Sequence, residues 1–330
     1  MSPTRDPTSL NSEQIAVAAE KLRAGQLVAF PTETVYGLGA DATNPLAVAG
    51  IFEVKGRPRF DPLIVHLYEM SGVIRVVSEF PRLAQALADA SWPGPLTLVL
   101  PKRSLIPEIV TAGLPGVGVR IPRHPVALEL LRQVGRPVAA PSANPFGRIS
   151  PTTAQHVRDG LGTAVNWILD GGPCDVGVES TVLSLMESQP VLLRPGGVSR
   201  EELEAVIGPV QRAVMDERAE DSAQPAPGML SRHYAPRTPL VLIERGETAQ
   251  PVPGKRCGLL TDGTQDRRDG FEQIVSLSET GDLRTCAAGF FAGLRSLDSA
   301  SLDVIIAHRF SNDGLGVALN DRLQRAAASR

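Results

Sequence analysis

Three cations fall within five residues in Lys55-Gly56-Arg57-Pro58-Arg59, and a further one, Arg194, ends a later apolar run just before Pro195-Gly196-Gly197. Ammonium and guanidinium groups gathered around a glycine can surround a triphosphate from several sides. The same cations would equally suit the C-terminal end of a helix, where they complement its dipole. Between the two clusters lies Ala140-Pro141-Ser142-Ala143-Asn144-Pro145, a turn fixed by proline on both sides. Ser142 and Asn144, followed by Ser150, offer compact hydrogen-bonding groups to phosphate or ribose oxygens. In combination these segments predict a grip on a nucleotide phosphate chain within residues 26–208.

Other polar residues stand where strands end. Asp61-Pro62-Leu63-Ile64-Val65-His66 places a histidine at the far end of an apolar run, either as a ligand contact or as a structural hydrogen-bonder. Arg120 closes Gly116-Val117-Gly118-Val119-Arg120, which suits a carboxylate in a cleft or a surface ion pair. Glu179-Ser180-Thr181 heads another strand. Pro31-Thr32-Glu33-Thr34-Val35-Tyr36-Gly37-Leu38-Gly39 reads first as a strand-to-helix connection, although its hydroxyls and glycines also suit a small polar ligand. The chain contains no GxxxxGK[ST] loop, GxGxxG fingerprint, HExxH or GxSxG elbow, and Gly314 and Gly316 make only a GxG.

The elements that must position these groups follow from periodicity. Asn11 and Ser12 precede the stripe Ile15, Ala18, Ala19, Leu22, and Gly25 follows it, predicting a capped helix. Strands are expected at 27–30, 63–67, 96–100, 117–121, 138–140, 167–169, 181–185 and 191–193. Helices are expected at 45–54, 80–90, 125–134, 152–159 and 200–207, the last with Ser199 and Glu202 at capping-box spacing. Short strands mixed irregularly with helices indicate an α/β domain around a mixed sheet, spanning 1–208. Residues 209–239 are polar and proline-rich, as a linker would be. Strands near 240–243, 258–261, 274–277 and 304–307, with helices near 282–297 and 315–327, predict a smaller Rossmann-like α/β domain over 240–330.

Composition limits the function. The formal net charge of -3 and an aromatic content of 4% argue against a broad nucleic-acid-binding surface. Cys174, Cys257 and Cys286 form neither a CxxC pair nor a complete disulfide framework, and no apolar leader or membrane-length run is present. A cytoplasmic enzyme is expected.

The ordered segments PTETVYGLGADA from Pro31, KGRPRFDPLIVH from Lys55, WPGPLTLVL from Trp92, VGVRIP from Val117, APSAN from Ala140, ESTV from Glu179 and LLRPGG from Leu192 resemble the threonylcarbamoyl-AMP synthase family. Ser231-Arg232-His233-Tyr234-Ala235-Pro236 is similar to a segment of its longer, two-domain form. The resemblance implies a YrdC-like domain with a twisted mixed sheet around an open cleft. It also implies a reaction: L-threonine, bicarbonate or carbon dioxide, and ATP give threonylcarbamoyl-AMP and pyrophosphate, for modification of tRNA. It places Thr34, His66, Arg120, Ala140 and Ser180 around threonine. Lys55, Arg57, Asp61, Gly116, Ser142, Asn144, Ser150, Arg194 and Tyr234 fall around ATP. Asp61 departs from the asparagine usual in the family. His66 is the candidate for a proton-transfer role, and magnesium is expected with ATP rather than in a protein cage. No zinc, haem or nicotinamide cofactor and no membrane partner is expected, while the machinery that transfers the group to tRNA is an implied partner. An RNA-binding module and a carbamoyltransferase-related protein are the alternatives.

Overall fold

The computed structural model describes residues 12–213, 224–229, 233–264 and 269–328. The first half runs α1 (Ser12–Arg23), β1 (Val28–Phe30), β2 (Gly37–Asp41), α2 (Pro45–Lys55), β3 (Ile64–His66), α3 (Met70–Val76), α4 (Arg82–Ser91), β4 (Leu96–Pro101), α5 (Glu108–Thr111) and β5 (Gly116–Arg120). It continues through α6 (Pro125–Val134), β6 (Val138–Ala139), α7 (Ala154–Leu161), β7 (Thr181–Ser184), β8 (Val191–Arg194), α8 (Arg200–Ile207) and β9 (Gln211–Arg212). These strands form one mixed sheet in the order β1-β2-β6-β3-β5-β4-β7-β8-β9. The second sheet, β10 (Leu240–Ile243), β13 (Val304–His308), β11 (Cys257–Thr261) and β12 (Gln273–Ser276) in spatial order, is wholly parallel, with α9 (Leu283–Asp298) and α10 (Gly314–Ala327) in its crossovers and after it.

Local chemistry explains the helices. The stripe Ile15, Ala18, Ala19, Leu22 buries one face of α1, and Gly25 follows with φ 80°. The expected cap Asn11 lies outside the described residues. Asn44 caps α2 through its side chain, Gly56 ends it in the left-handed region, and Ser199 and Glu202 form a reciprocal capping box on α8.

Two local expectations change. Residues 37–41 form a strand rather than part of a connection, because β2 folds back on β1 with Phe30 opposite Gly37. Gly39 permits this: a Cβ there would lie 2.8 Å from the Phe30 ring. Residues 167–169 make only an isolated bridge to Ala29, since β1 offers little more than one free pairing position.

Register sets the site. β3 pairs in parallel with β5 so that His66 stands beside Arg120. β7 pairs in parallel with β4, bringing Ser180 to Thr97 with their hydroxyls 2.8 Å apart. The large sheet packs on one extensive apolar core, whereas a second core joins Val35, Ile149 and Val178 of the first domain to Tyr234 and the helices of the second. Among the described residues, no helix is long and apolar enough to cross a membrane.

Candidate functional site

At the strand ends, one cavity is lined by Thr34, Arg57, His66, Arg120, Ala140, Ser142, Ser180, Arg194 and Tyr234. Sequence separation had hidden this convergence. Thr32 organises the turn before β2: its hydroxyl donates to the Val35 carbonyl at 2.6 Å and accepts the amides of Thr34 and Val35. The Thr34 hydroxyl thereby meets Arg120, whose Nη1 donates to it at 3.0 Å while Nε donates to the Gly94 carbonyl. Arg120 Nη2 also pairs with Glu33 at 2.7 Å. The hydrogen bonds from Nε and Nη1 thus brace the guanidinium in its own plane, as a carboxylate receptor must be braced.

At the other end, Arg57 donates to the carbonyls of Asp61 and Pro62 and pairs with the Asp61 carboxylate at 2.9 Å. Arg194 donates to the Ser180 carbonyl at 2.9 Å and the Pro227 carbonyl at 3.0 Å. The Ser142 turn is pinned from two directions. Gly37 bridges to Ser142, and the Ala143 amide donates to the Tyr36 carbonyl. Lys55 does not line the cavity; its ammonium donates to the carbonyls of Ser142 and Asn144 and so clamps the turn from behind.

The remaining expected residues also support rather than line it. Asn144 braces the following loop by donating to the carbonyls of Pro145 and Arg148, each at 2.9 Å. Ser150 donates to Glu179 at 2.5 Å. Gly116 borders an adjacent crevice with Ile64, Val182, Pro225 and Pro227. Asp61 is fully buried beside Arg57, and the exposed Arg59 stays outside.

Residues 20–196 match a family profile described as "Telomere recombination", that of Sua5, YciO and YrdC, and residues 198–328 match "Threonylcarbamoyl-AMP synthase, C-terminal domain". Threonylcarbamoyl-AMP synthase of Bacillus subtilis is 45% identical, covering 98% of this chain and 96% of its own, and that of Pyrococcus abyssi is 42% identical at 96% and 95%. The chain belongs to the threonylcarbamoyl-AMP synthase family. It is therefore an enzyme of nucleotidyltransferase type. The solved structure of P. abyssi Sua5 complexed with L-threonine superposes with a TM-score of 0.88 at 41% identity, covering 96% of this chain and 95% of that one.

Burial sets the protonation of this synthase site. Burial, then the neighbouring Arg120, lowers His66 to about 3, so its ring is neutral near pH 7. Its Nδ1 faces the Ile64 carbonyl at 3.3 Å, which favours a proton there and leaves Nε2 as an acceptor. Burial also lowers Lys55 well below the ordinary lysine range, with Arg57 adding to the effect, and raises Asp61 despite the opposing pull of Arg57.

Part of the connection between the domains roofs the cavity. The Gln224 amide donates to the Phe60 carbonyl at 3.1 Å, and Ala226 and Met229 pack on Ile64, Val99 and Val182. Gly228 passes so close that a Cβ would lie 2.8 Å from the Tyr234 hydroxyl, at a φ of +79°. Tyr234 itself takes φ 63°, a costly conformation for a residue with a side chain, and is fixed against His233 and Phe291.

Glu33, Glu179, His233 and Arg322 also belong to the site, beyond the residues expected there. Arg322 carried the clearest signal: it interrupts the buried stripe Ala318, Leu319, Leu323, Ala326 on α10, where an arginine needs a partner.

Proposed function

We propose that this cavity joins L-threonine, bicarbonate or carbon dioxide, and ATP into threonylcarbamoyl-AMP and pyrophosphate, supplying the threonylcarbamoyladenosine modification of tRNA. The strongest support is one cavity with two chemical ends. Thr34, His66, Arg120 and Ser180 suit a small hydroxylated zwitterion, whereas Arg57, Ser142 and Arg194 suit phosphate. Arg120 takes the threonine carboxylate, Thr34 and Ser180 offer hydroxyls to its polar groups, and Ala140 shapes the wall. His66 accepts a hydrogen bond through Nε2; its low proton affinity suits it poorly to carry a proton away from an ammonium.

A carbamate oxygen then attacks the α-phosphorus of ATP. The new oxygen–phosphorus bond forms as the bond to the bridging oxygen breaks, and that oxygen leaves on pyrophosphate. This step needs alignment and charge neutralisation rather than a side-chain nucleophile. Arg57 and Arg194 neutralise the triphosphate, Lys55 fixes the Ser142 turn against it, and Asn144, Ser150 and Gly116 shape its surroundings. Tyr234 closes the wall above it.

Magnesium bound to ATP would neutralise further phosphate charge. Phosphates and water would supply most of its ligands, as they usually do for this ion. Asp61 Oδ1, buried without a hydrogen-bond partner, fits as its one protein ligand.

The cavity of about 50 Å³ is far smaller than the roughly 300 Å³ or more of an ordinary ligand pocket. The roof over residues 224–229 must therefore lift to admit ATP. We place the reaction in the cytoplasm, upstream of the transferase machinery that modifies tRNA. Incubation of the purified protein with ATP, threonine and bicarbonate should release pyrophosphate only when all three are present. Equal release without threonine or without bicarbonate would overturn the proposed reaction.

A further inference from the structure

Three buried carboxylates approach the cavity, and each meets an arginine: Asp61 meets Arg57 at 2.9 Å, Glu33 meets Arg120 at 2.7 Å and Glu179 meets Arg322 at 3.0 Å. The first two pairs lie within the first domain. The third crosses from the second domain, over 143 residues of sequence. Arg322 is fully buried on the inner face of α10. Its Nε donates to Glu179 Oε2, and its Nη1 donates to the Pro195 carbonyl at 2.8 Å and to Asp321 at 2.7 Å. The guanidinium carbon also stands 5.3 Å from the centre of the Tyr234 ring, within cation–π range.

One side chain thus holds three parts of the wall. Glu179 lines the cavity and, through its other oxygen, accepts the Ser150 hydroxyl. Pro195 follows Arg194 directly, so the Pro195 contact fixes the turn on which the phosphate-facing arginine stands. Tyr234 borders the cavity from above. The charges favour the same conclusion. With each carboxylate matched, Arg194 on the cavity wall keeps a cation whose hydrogen bonds go to the neutral oxygens of Ser180 and Pro227, leaving positive charge for a triphosphate.

We propose that Arg322 is a positioning residue for the ATP end of the site, and that it is the second domain's contribution to the reaction. It neutralises Glu179, so that the triphosphate meets no bare carboxylate on that wall, and it holds Glu179 against Ser150 beneath Tyr234. The inference rests on the assignment of ATP to this end of the cavity.

Initial rates of pyrophosphate release give KM for ATP and for threonine separately, and equilibrium titration with ATP alone reads nucleotide binding without turnover. Arg322→Met should raise the ATP KM about tenfold or more and leave the threonine KM within about twofold. Arg322→Lys, which keeps the charge, should lie closer to wild type than to Arg322→Met. The double variant E179Q/R322M removes both charges and should recover most of the ATP affinity that the single variant loses. A purely structural strut predicts the reverse: the double variant at least as impaired as the single one, or both KM values raised alike. Either result overturns the proposal. Should Arg322→Met fail to fold, R322K and E179Q/R322M carry the test, and a tenfold loss of ATP binding in the folded double variant overturns it. The requirement of the wild-type reaction for all three substrates tests the underlying function separately, so the two failures are distinguishable.

Discussion

Arg120 Nη2 lies 2.7 Å from Glu33 Oε1, so the cation assigned to the threonine carboxylate also answers to a carboxylate of the protein. Both side chains are buried, and Arg120 is held further by Thr34 and Gly94. A lysine would keep the charge but could not reproduce this planar bracing. Arg120→Lys should therefore raise the threonine KM by about 30-fold or more, with little change in the ATP KM. Substrate-resolved kinetics that show equal effects on both would refute the assignment of threonine to this end.

Asp61 makes a different prediction, since the value assigned to it lies in its oxygen rather than its charge. Arg57 is retained in place by the Asp61 and Pro62 carbonyls, which do not depend on the carboxylate. Asp61→Asn should keep the ATP KM within about threefold of wild type, whereas Asp61→Ala should raise it about tenfold. If the two variants are equally impaired across a magnesium titration, the negative charge itself is required.

Much of this was legible in the sequence, and the gaps have physical causes. His66 and Arg120 were recognisable as strand-end polar residues, but their adjacency depends on parallel pairing across a crossover, which local periodicity does not encode. The residues 37–41 escaped recognition because Gly37 and Gly39 remove the side chains that would reveal alternation. The cluster around Lys55 suggests direct phosphate contact, whereas its clamp on Ser142 and Asn144 reaches across 87 and 89 residues of sequence. Cys174, Cys257 and Cys286 are free and buried.

Acid should destabilise the fold through its buried histidines. The folded-state value of His66, about 3, lies below the ordinary 6.5, so the unfolded chain binds the proton more readily. Stability is then fullest above pH 6.5 and declines as pH falls toward 3. For His66 alone the loss at pH 5 is about 2 kcal/mol. His124, His156 and His233 are also lowered, chiefly by burial, and act in the same direction. Denaturant titrations at pH 7 and pH 5 should show this decline, and His66→Gln should make it shallower by about 2 kcal/mol. An identical pH slope in the variant would contradict the neutral burial of His66.

The roof offers a direct test of access. Because the Gln224 amide reaches the Phe60 carbonyl, cysteines at these two positions should cross-link with little backbone movement. Oxidised F60C/Q224C should lose at least about 90% of ATP-dependent turnover, and reduction should restore it, as expected for a gating segment. Full activity in the cross-linked protein would show that ATP enters without displacement of this segment.

The apolar contacts that Val35, Ile149 and Val178 share with the second domain have a consequence for how such a gate can operate. The two domains are not lobes free to swing apart, because separating them would wet a common core at about 25 cal/mol for every Å² of apolar surface exposed. Tyr234, embedded in that core, is a fixed post, as is β9 on the large sheet. Residues 224–229, which lie between these posts in sequence, can then admit substrate by local displacement without separation of the domains.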